Sequence, residues 1–177
     1  METCPAIIVF CVDINAKDDN GLTGFHQACD NDRTDLVKIF MKNAATSRID
    51  LNVKENNRLT GFHLACDNVC TELVKIFMEN AASLIFDPTA KSNNGLTAFH
   101  IACLKGRSEV VEILIENAAI FGIGLNTKDN YDMTTFHIAC RRGHTDVIKI
   151  LIENAVKLDF NLNANFKRNA VFMSIFH

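Results

Sequence analysis

Apolar residues recur along the chain in short stripes that are separated by polar turns. Residues 36–41 and 147–152 each place apolar side chains at i, i+1, i+4 and i+5. This spacing predicts a helix with one buried face. A hydroxyl residue opens each such stripe and an acid follows it, which suits the positive end of a helix dipole. The four openings are Thr34, Thr71, Ser108 and Thr145.

A second stripe precedes each of these and repeats almost letter for letter. The string L-T-G-F-H-Q-A-C of residues 22–29 recurs at 59–66, 96–103 and 133–140, with a period of 37 residues. Its threonine can accept a backbone N–H three residues further on, which is the N-cap chemistry that starts a helix. The motif pairs are Thr23 with His26, Thr60 with His63, Thr97 with His100 and Thr134 with His137.

Each unit therefore predicts two helices, A and B, followed by a connector rich in Asn and Asp. Such residues form tight turns, so the connector is interpreted as a projecting hairpin. A unit of this size cannot bury its own apolar face, and neighbouring units must stack into one core. We expect one domain over residues 1–177: a partial repeat with the first hairpin (1–20), repeats 1 to 4 (21–57, 58–94, 95–131 and 132–168) and a truncated cap (169–177).

The repeated string resembles the ankyrin repeat family, whose motif is T-P-L-H-x-A-A in helix A and V-x-x-L-L in helix B, followed by G-A-D-V-N. The likeness covers residues 13 to about 165 in four copies. The resemblance implies an all-α solenoid of stacked antiparallel helix pairs with projecting hairpin loops, used to bind other proteins. It also implies that the motif histidine bridges the threonine and the neighbouring backbone.

Two departures from the family change the expected structure. The family's period is 33 residues, whereas this chain has four more between helix B and the hairpin. Alanine stands where the family ends helix B with glycine, at Ala44, Ala81, Ala118 and Ala155. Four residues are about one helical turn, and alanine is the best helix former. Helix B is therefore expected to be about one turn longer.

The turn between helices A and B is the second departure. The family's glycine is present only as Gly106 and Gly143, and Val69 stands there in repeat 2. A β-branched residue is poorly suited to positive φ, with a cost on the order of 1 kcal/mol or more. We expect repeat 2 to be strained at Val69 or to have a different turn.

Charge and cysteine content restrict the partners and the compartment. The net charge is −3, with eight basic and 13 acidic residues over 1–88 and ten and eight over 89–177. No basic surface for phosphates is expected, so the expected partner is another protein and not nucleic acid. Seven cysteines without a C-x-x-C pair favour a reducing cytoplasmic or nuclear location. No stretch approaches the roughly 18 apolar residues of a membrane span.

The terminal segments are interpreted as abbreviated caps over the ends of the stack. Residues 1–12 align with the tail of a helix B, and residues 169–177 lie where a fifth helix A would begin. Solenoids need covered terminal faces. We expect a monomer; the alternative is that Phe172, Met173 and Phe176 form an apolar surface for a partner or for weak self-association.

No catalytic, cofactor or metal site is expected. A cysteine lies three residues after each motif histidine, as in His26 and Cys29. Equivalent residues of stacked units are expected about 10 Å apart, the spacing set by helix packing, which is too far for one zinc ion with ~2 Å bonds. The cysteines occupy a small-residue position and are interpreted as core. Cys4, Cys11 and Cys70 are the thiols expected to be exposed.

Partner binding is expected at the positions that vary between repeats. In ankyrin-like folds the two residues after the helix A cysteine face the concave surface: Asp30 and Asn31, Asp67 and Asn68, Leu104 and Lys105, Arg141 and Arg142. Their order runs from acidic to basic, which would orient a partner of opposite polarity. The alternative interpretation is a merely solvated surface. The hairpin tips add Asp19, Asn20, Asn56, Arg58, Asn93, Asn94, Asn130, Tyr131 and Asp132.

Tyr131 and the arginines have the composition of an interface hot spot, and Leu104 is expected to add exposed apolar area. The first hypothesis for function is an adaptor or scaffold that docks one protein. The alternatives are an inhibitor resembling the ankyrin-only proteins that mask Rel-type transcription factors, and a structural fragment of a larger scaffold. Catalysis is the weakest hypothesis.

Overall fold

The computed structural model describes residues 13–80 and 86–155, and this part of the chain contains eight α-helices and no strand. Helices A are α1, α3, α5 and α7, and helices B are α2, α4, α6 and α8. Their bounds are α1 Gly24–Asp30, α2 Thr34–Ser47, α3 Gly61–Asp67, α4 Thr71–Asn80, α5 Ala98–Lys105, α6 Ser108–Phe121, α7 Thr135–Arg142 and α8 Thr145–Ala155.

A capping box starts every helix A. The threonine has an extended backbone, as at Thr97 with φ −87° and ψ 169°, and its hydroxyl accepts the His100 backbone N–H at 3.4 Å. The ring of His100 in turn accepts the threonine backbone N–H at 3.2 Å. Two N–H groups that the helix cannot satisfy are thus paired by side chains. The same box is present at Thr23, Thr60 and Thr134.

The helices pack in two rows with one core between them. Consecutive helices A of the described residues pack on one another, each also packs on helix B of its own repeat, and helices B form the second row. Phe25, Phe62 and Phe99 lie in the core with 1 to 2% of their surface exposed. Phe77 on α4 lies with its ring centroid 5.1 Å from that of Phe62. The all-α ankyrin-type solenoid expected from the sequence is confirmed.

Helix B is extended, as expected, where its full length is described. Both α2 and α6 run for 14 residues and pass through Ala44 and Ala118 without interruption. They end at a left-handed residue four positions later, Arg48 with φ 51° and Gly122 with φ 65°. The left-handed residue that ends helix B therefore lies four positions after the alanine that replaces the family's glycine, which matches the four inserted residues. The residues that follow α4 and α8 lie outside the described part.

The expected strain at Val69 is wrong, and the alternative, a different turn, is found. Asp32, Gly106 and Gly143 take positive φ at this position, but Val69 does not. Asn68 has already left the helix with φ −77° and ψ 169°, an extended conformation open to any residue. The turn bond from Arg107 N–H to the Ala102 carbonyl has no counterpart within residues 61–80. Val69 instead points outward and is 73% exposed.

The connectors form hairpins that link neighbouring repeats. Each is closed by a backbone bond such as Glu55 N–H to the Leu59 carbonyl, at 3.0 Å. The last residue of each turn has positive φ, at Gly21, Arg58, Gly95 and Asp132. Within the described ranges no helix is both long and apolar enough to cross a membrane. The proposed caps, Cys4 and Cys11, and the apolar residues Phe172, Met173 and Phe176 lie outside those ranges.

Candidate functional site

The strip of variable residues lies at the C-terminal ends of helices A. Asp30 is the last residue of α1, Asp67 of α3, Lys105 of α5 and Arg142 of α7. Asp30, Lys105 and Arg142 are exposed, and Asp67 is partly buried. Of the partners in each pair, Asn31 and Arg141 are exposed, whereas Asn68 and Leu104 are partly buried. Leu104 therefore offers less apolar surface than the sequence predicts.

The middle of this strip is neutralised within the chain. Lys105 Nζ lies 2.7 Å from one carboxylate oxygen of Asp67 and 2.9 Å from the other. An exposed ion pair of this kind contributes at most about 1 kcal/mol to stability. Two of the five charged residues of the strip therefore neutralise each other. The charge gradient is reduced to Asp30 at one end and Arg141 with Arg142 at the other.

A column of donors holds adjacent helices A together beside this strip. Arg107 Nε donates to the Asp67 carbonyl at 2.7 Å, and His144 Nε2 lies 3.0 Å from the Leu104 carbonyl. The equivalent position in repeat 2 is Cys70, and there the amide of Asn68 contacts the end of α1 instead. Asn68 thus holds two repeats together, which the sequence reasoning did not foresee.

Asparagine side chains connect the hairpin tips in the same manner. Asn93 donates its backbone N–H to the Asn57 carbonyl at 2.9 Å and its side-chain amide to the Asn56 carbonyl at 3.2 Å. Asn56 makes the equivalent pair with Asn20 and Asp19, and Asn130 makes it with Asn94 and Asn93. We define these three residues as the asparagine ladder. Their side-chain amides donate to carbonyls of the preceding tip, so the ladder sets the spacing of the hairpin tips.

Lysine side chains also link neighbouring hairpins, and the sequence reasoning missed these contacts. We call them the lysine column. Lys17 Nζ donates to the Lys54 carbonyl at 2.7 Å, and Lys91 Nζ donates to the Lys128 carbonyl at 3.0 Å. Lys128 also lies 3.6 Å from Asp132 of its own tip. The signal that could have revealed the column is lysine at the same position of all four connectors.

One groove brings five of the predicted binding residues together. Between the tip of repeat 3 and helices α5 and α7 lies a volume of about 160 Å³. Its predicted members are Asn94, Leu104, Tyr131, Arg141 and Arg142, and its other lining residues are Leu96, Asp129, Met133 and Ile138. We call this the Tyr131 groove. Its apolar floor was missed because residues of two repeats build it jointly.

Tyr131 stands at the rim of the groove with 75% of its surface exposed. Its position is fixed by the backbone. One carboxylate oxygen of Asp129 accepts the backbone N–H groups of Tyr131 and Met133, at 2.8 and 2.9 Å. The phenol ring is therefore presented to solvent from an ordered turn.

Each motif histidine caps its own helix through Nδ1, and His26 and His63 also contact the next repeat. Thr23 N–H donates to Nδ1 of His26 at 3.1 Å, so the ring proton is on Nε2, which lies 3.2 Å from the Leu59 carbonyl of the next repeat. His63 contacts Leu96 in the same way. Burial lowers the pKa of His26, His63, His100 and His137, which favours the neutral ring that this pairing needs. The structure thus gives His26 and His63 a role between repeats, whereas Nε2 of His100 is buried without a hydrogen-bond partner among the described residues.

The helix A cysteines are core residues. Cys29, Cys66 and Cys103 are buried, and burial raises the pKa of each thiol. A protonated, inaccessible thiol is a poor nucleophile. Cys140 in repeat 4 is partly buried, and burial raises the pKa of its thiol as well. Cys70, expected to be exposed, is partly buried in the turn between α3 and α4.

The family model for ankyrin repeats matches residues 1–86 and 62–165, together most of the chain. The chain belongs to the ankyrin repeat family. Ankyrin repeats are in general protein–protein interaction modules and typically carry no catalytic activity. Comparison with curated protein sequences gives no match. Membership of this family therefore supports binding to another protein.

Proposed function

We propose that this ankyrin repeat chain is an adaptor or scaffold that docks one protein partner through its concave strip and hairpin tips. The binding site is centred on Leu104, Tyr131, Arg141 and Arg142. The observation that carries this proposal is the Tyr131 groove, which combines an apolar floor, an exposed aromatic ring and two cations at one junction.

The two arginines of the groove have no ion-pair partner among the described residues, whereas the neighbouring cations of repeat 3 contact repeat 2. Lys105 is paired with Asp67, and Arg107 donates to the Asp67 carbonyl. Arg141 and Arg142 are exposed, and neither forms an ion pair with any residue of the described ranges. Arginine is enriched at interface hot spots because its planar head binds carboxylates in two places at once.

Tyr131 supports the same location. A tyrosine has two side-chain torsions, so it contributes a large contact area at a low entropic cost. Asp129 already fixes the backbone that carries it. Binding therefore needs little ordering of the tip, and most of the contact energy remains for affinity.

The hairpin tips contribute a rigid second edge in this proposal. The asparagine ladder holds the tips in register, and Arg58, Asn94 and Asp132 present side chains beside it. Asp19, Asn20, Asp30 and Asn31 form the exposed acidic end. We also propose a reducing compartment, since Cys29, Cys66, Cys70, Cys103 and Cys140 are all unpaired thiols.

Affinity capture from a cell extract tests the proposal. The tagged full chain is compared with a variant that carries Tyr131→Ala, Arg141→Ala and Arg142→Ala. The matched control carries Ile39→Ala, Lys38→Ala and Lys42→Ala, which removes one exposed apolar residue and two exposed cations from α2. We expect the captured partner to be lost from the groove variant and kept by the control. Equal retention by both variants would place the binding site elsewhere.

A further inference from the structure

The shape of the Tyr131 groove restricts what can enter it. Its floor is apolar and consists of Leu96, Leu104, Met133 and Ile138. Its volume of about 160 Å³ is close to the roughly 150 Å³ of a cavity that accepts one benzene ring. One aromatic or branched side chain fills such a space. The floor therefore favours a ligand with a single protruding apolar side chain.

The charges around this floor are unequal. Arg141 and Arg142 are the basic lining residues, and Asp129 is the acidic one. One Asp129 oxygen accepts two backbone N–H groups of its own turn, at 2.8 and 2.9 Å, so this carboxylate is partly occupied by the fold. The rim thus carries a net positive charge in a chain whose net charge is −3. Carboxylates flanking the apolar side chain would meet complementary charge.

We propose that the Tyr131 groove binds an extended acidic peptide segment that inserts one large apolar side chain between Leu104 and Tyr131 and pairs its flanking carboxylates with Arg141 and Arg142. This inference rests on the proposed function and specifies the chemistry of the partner. A nucleic acid fits less well, because Arg141 and Arg142 are the two basic lining residues, whereas phosphate-backbone binding rests on many basic contacts.

A random twelve-residue peptide library displayed on phage is selected on the immobilised full chain. Peptides that are enriched are synthesised, and their affinities are measured by fluorescence anisotropy. In this experiment the groove variant carries Arg141→Glu and Arg142→Glu instead of the alanine substitutions. The matched control carries Lys38→Glu and Lys42→Glu on α2. Circular dichroism establishes that both variants keep the helical content of the parent chain.

The expected peptides share one large apolar residue flanked by Asp or Glu. They should lose about tenfold or more in affinity on the groove variant, which corresponds to about 1.4 kcal/mol, and little on the control. Replacing the apolar residue of the peptide by Ala should also cost about tenfold, since the peptide then loses the apolar area that the groove covers. Added salt should weaken binding, because the charges lie at an exposed rim.

Three results would overturn the inference. They differ in whether the groove and the proposed function remain supported. Peptides without acidic residues that still lose affinity on the groove variant contradict the ligand chemistry and leave the groove as the binding site. Peptides that bind both variants equally contradict the site as well. If no peptide is enriched, or if a single-stranded oligothymidine binds more tightly than every peptide, peptide recognition is wrong, whereas a partner captured through the groove still supports the proposed function.

Discussion

The side-chain amide of Asn68 donates a hydrogen bond at 2.9 Å to the carbonyl oxygen of Asp30 in the preceding repeat. At the next two junctions the equivalent carbonyls, those of Asp67 and Leu104, are contacted by Arg107 and His144. Repeat 2 has a cysteine where those donors stand. The extended conformation of Asn68 therefore both avoids positive φ at Val69 and brings a replacement donor to the junction.

Asn68→Ala should lower the free energy of unfolding by about 1–2 kcal/mol, because carbonyls at the end of α1 lose a side-chain partner. Urea denaturation followed by circular dichroism measures the loss. The matched control is Asn31→Ala, whose exposed amide makes one bond to Gln27 within its own repeat. Similar losses in both variants would contradict a role for Asn68 between repeats.

Gly106→Ala should destabilise the chain more than Gly143→Ala, although both glycines cap a helix A with φ near 70°. Positive φ costs an alanine about 1 kcal/mol at either position. A Cβ at residue 106 would also lie 2.6 Å from His144 Nδ1, whereas one at residue 143 meets nothing within 4 Å. Thermal unfolding should separate the two variants by at least about 1 kcal/mol. Equal losses would show that His144 moves aside without cost.

Arg58→Gly should stabilise the chain by about 0.5–1 kcal/mol, because Arg58 has φ 63° where Gly21 and Gly95 stand in other tips. Chemical denaturation measures the gain. Arg58→Ala is the control, since it removes the side chain and keeps the unfavourable backbone. A gain of the same size in both variants would assign the effect to the Arg58 side chain and not to its φ.

The four motif histidines should make stability fall as the pH falls below about 6.5. Burial lowers their pKa in the folded state, so the unfolded chain binds protons first. Their contribution is fully present above the unfolded pKa of about 6.5 and is lost as the pH falls through the folded values. Each adds a slope of up to about 1.4 kcal/mol per pH unit.

Urea midpoints measured between pH 7.5 and 5.5 test this dependence, because carboxylates titrate mainly below pH 5. We expect the free energy of unfolding to be lower at pH 5.5 by at least about 1 kcal/mol. A constant or rising midpoint would mean that the folded rings accept protons as readily as the unfolded ones.

The helices and their starts could be predicted from the sequence because their determinants are local. A threonine three residues before a histidine caps the start of its own helix. The 37-residue period indicates that the repeats stack. The stop of helix B at Arg48 could not be predicted, since arginine carries no preference for the left-handed region. The sequence predicted either strain or a different turn at Val69 and could not decide between them, because Asn68 acts on carbonyls of another repeat, 38 and 39 residues earlier.

The sequence predicts where the candidate binding residues lie, but not which of their side chains are already bonded within the chain. The sequence identified Lys105 and Asn93 as candidates, but it does not reveal that Lys105 pairs with Asp67 or that the Asn93 amide links two tips. The floor of the Tyr131 groove depends on the packing of repeat 3 against repeat 4. Only the stacked geometry brings Leu96 and Met133 beside Leu104.

The affinity of the groove for a captured partner tests the central claim most directly. Isothermal titration calorimetry compares the parent chain with the variant that carries Tyr131→Ala, Arg141→Ala and Arg142→Ala. Urea denaturation first establishes that the variant is as stable as the parent. We expect the variant to bind about tenfold or more weakly, since hot-spot truncations cost about 2 kcal/mol or more. An affinity within about twofold of the parent, or less than about 0.5 kcal/mol, would contradict the assignment of this site.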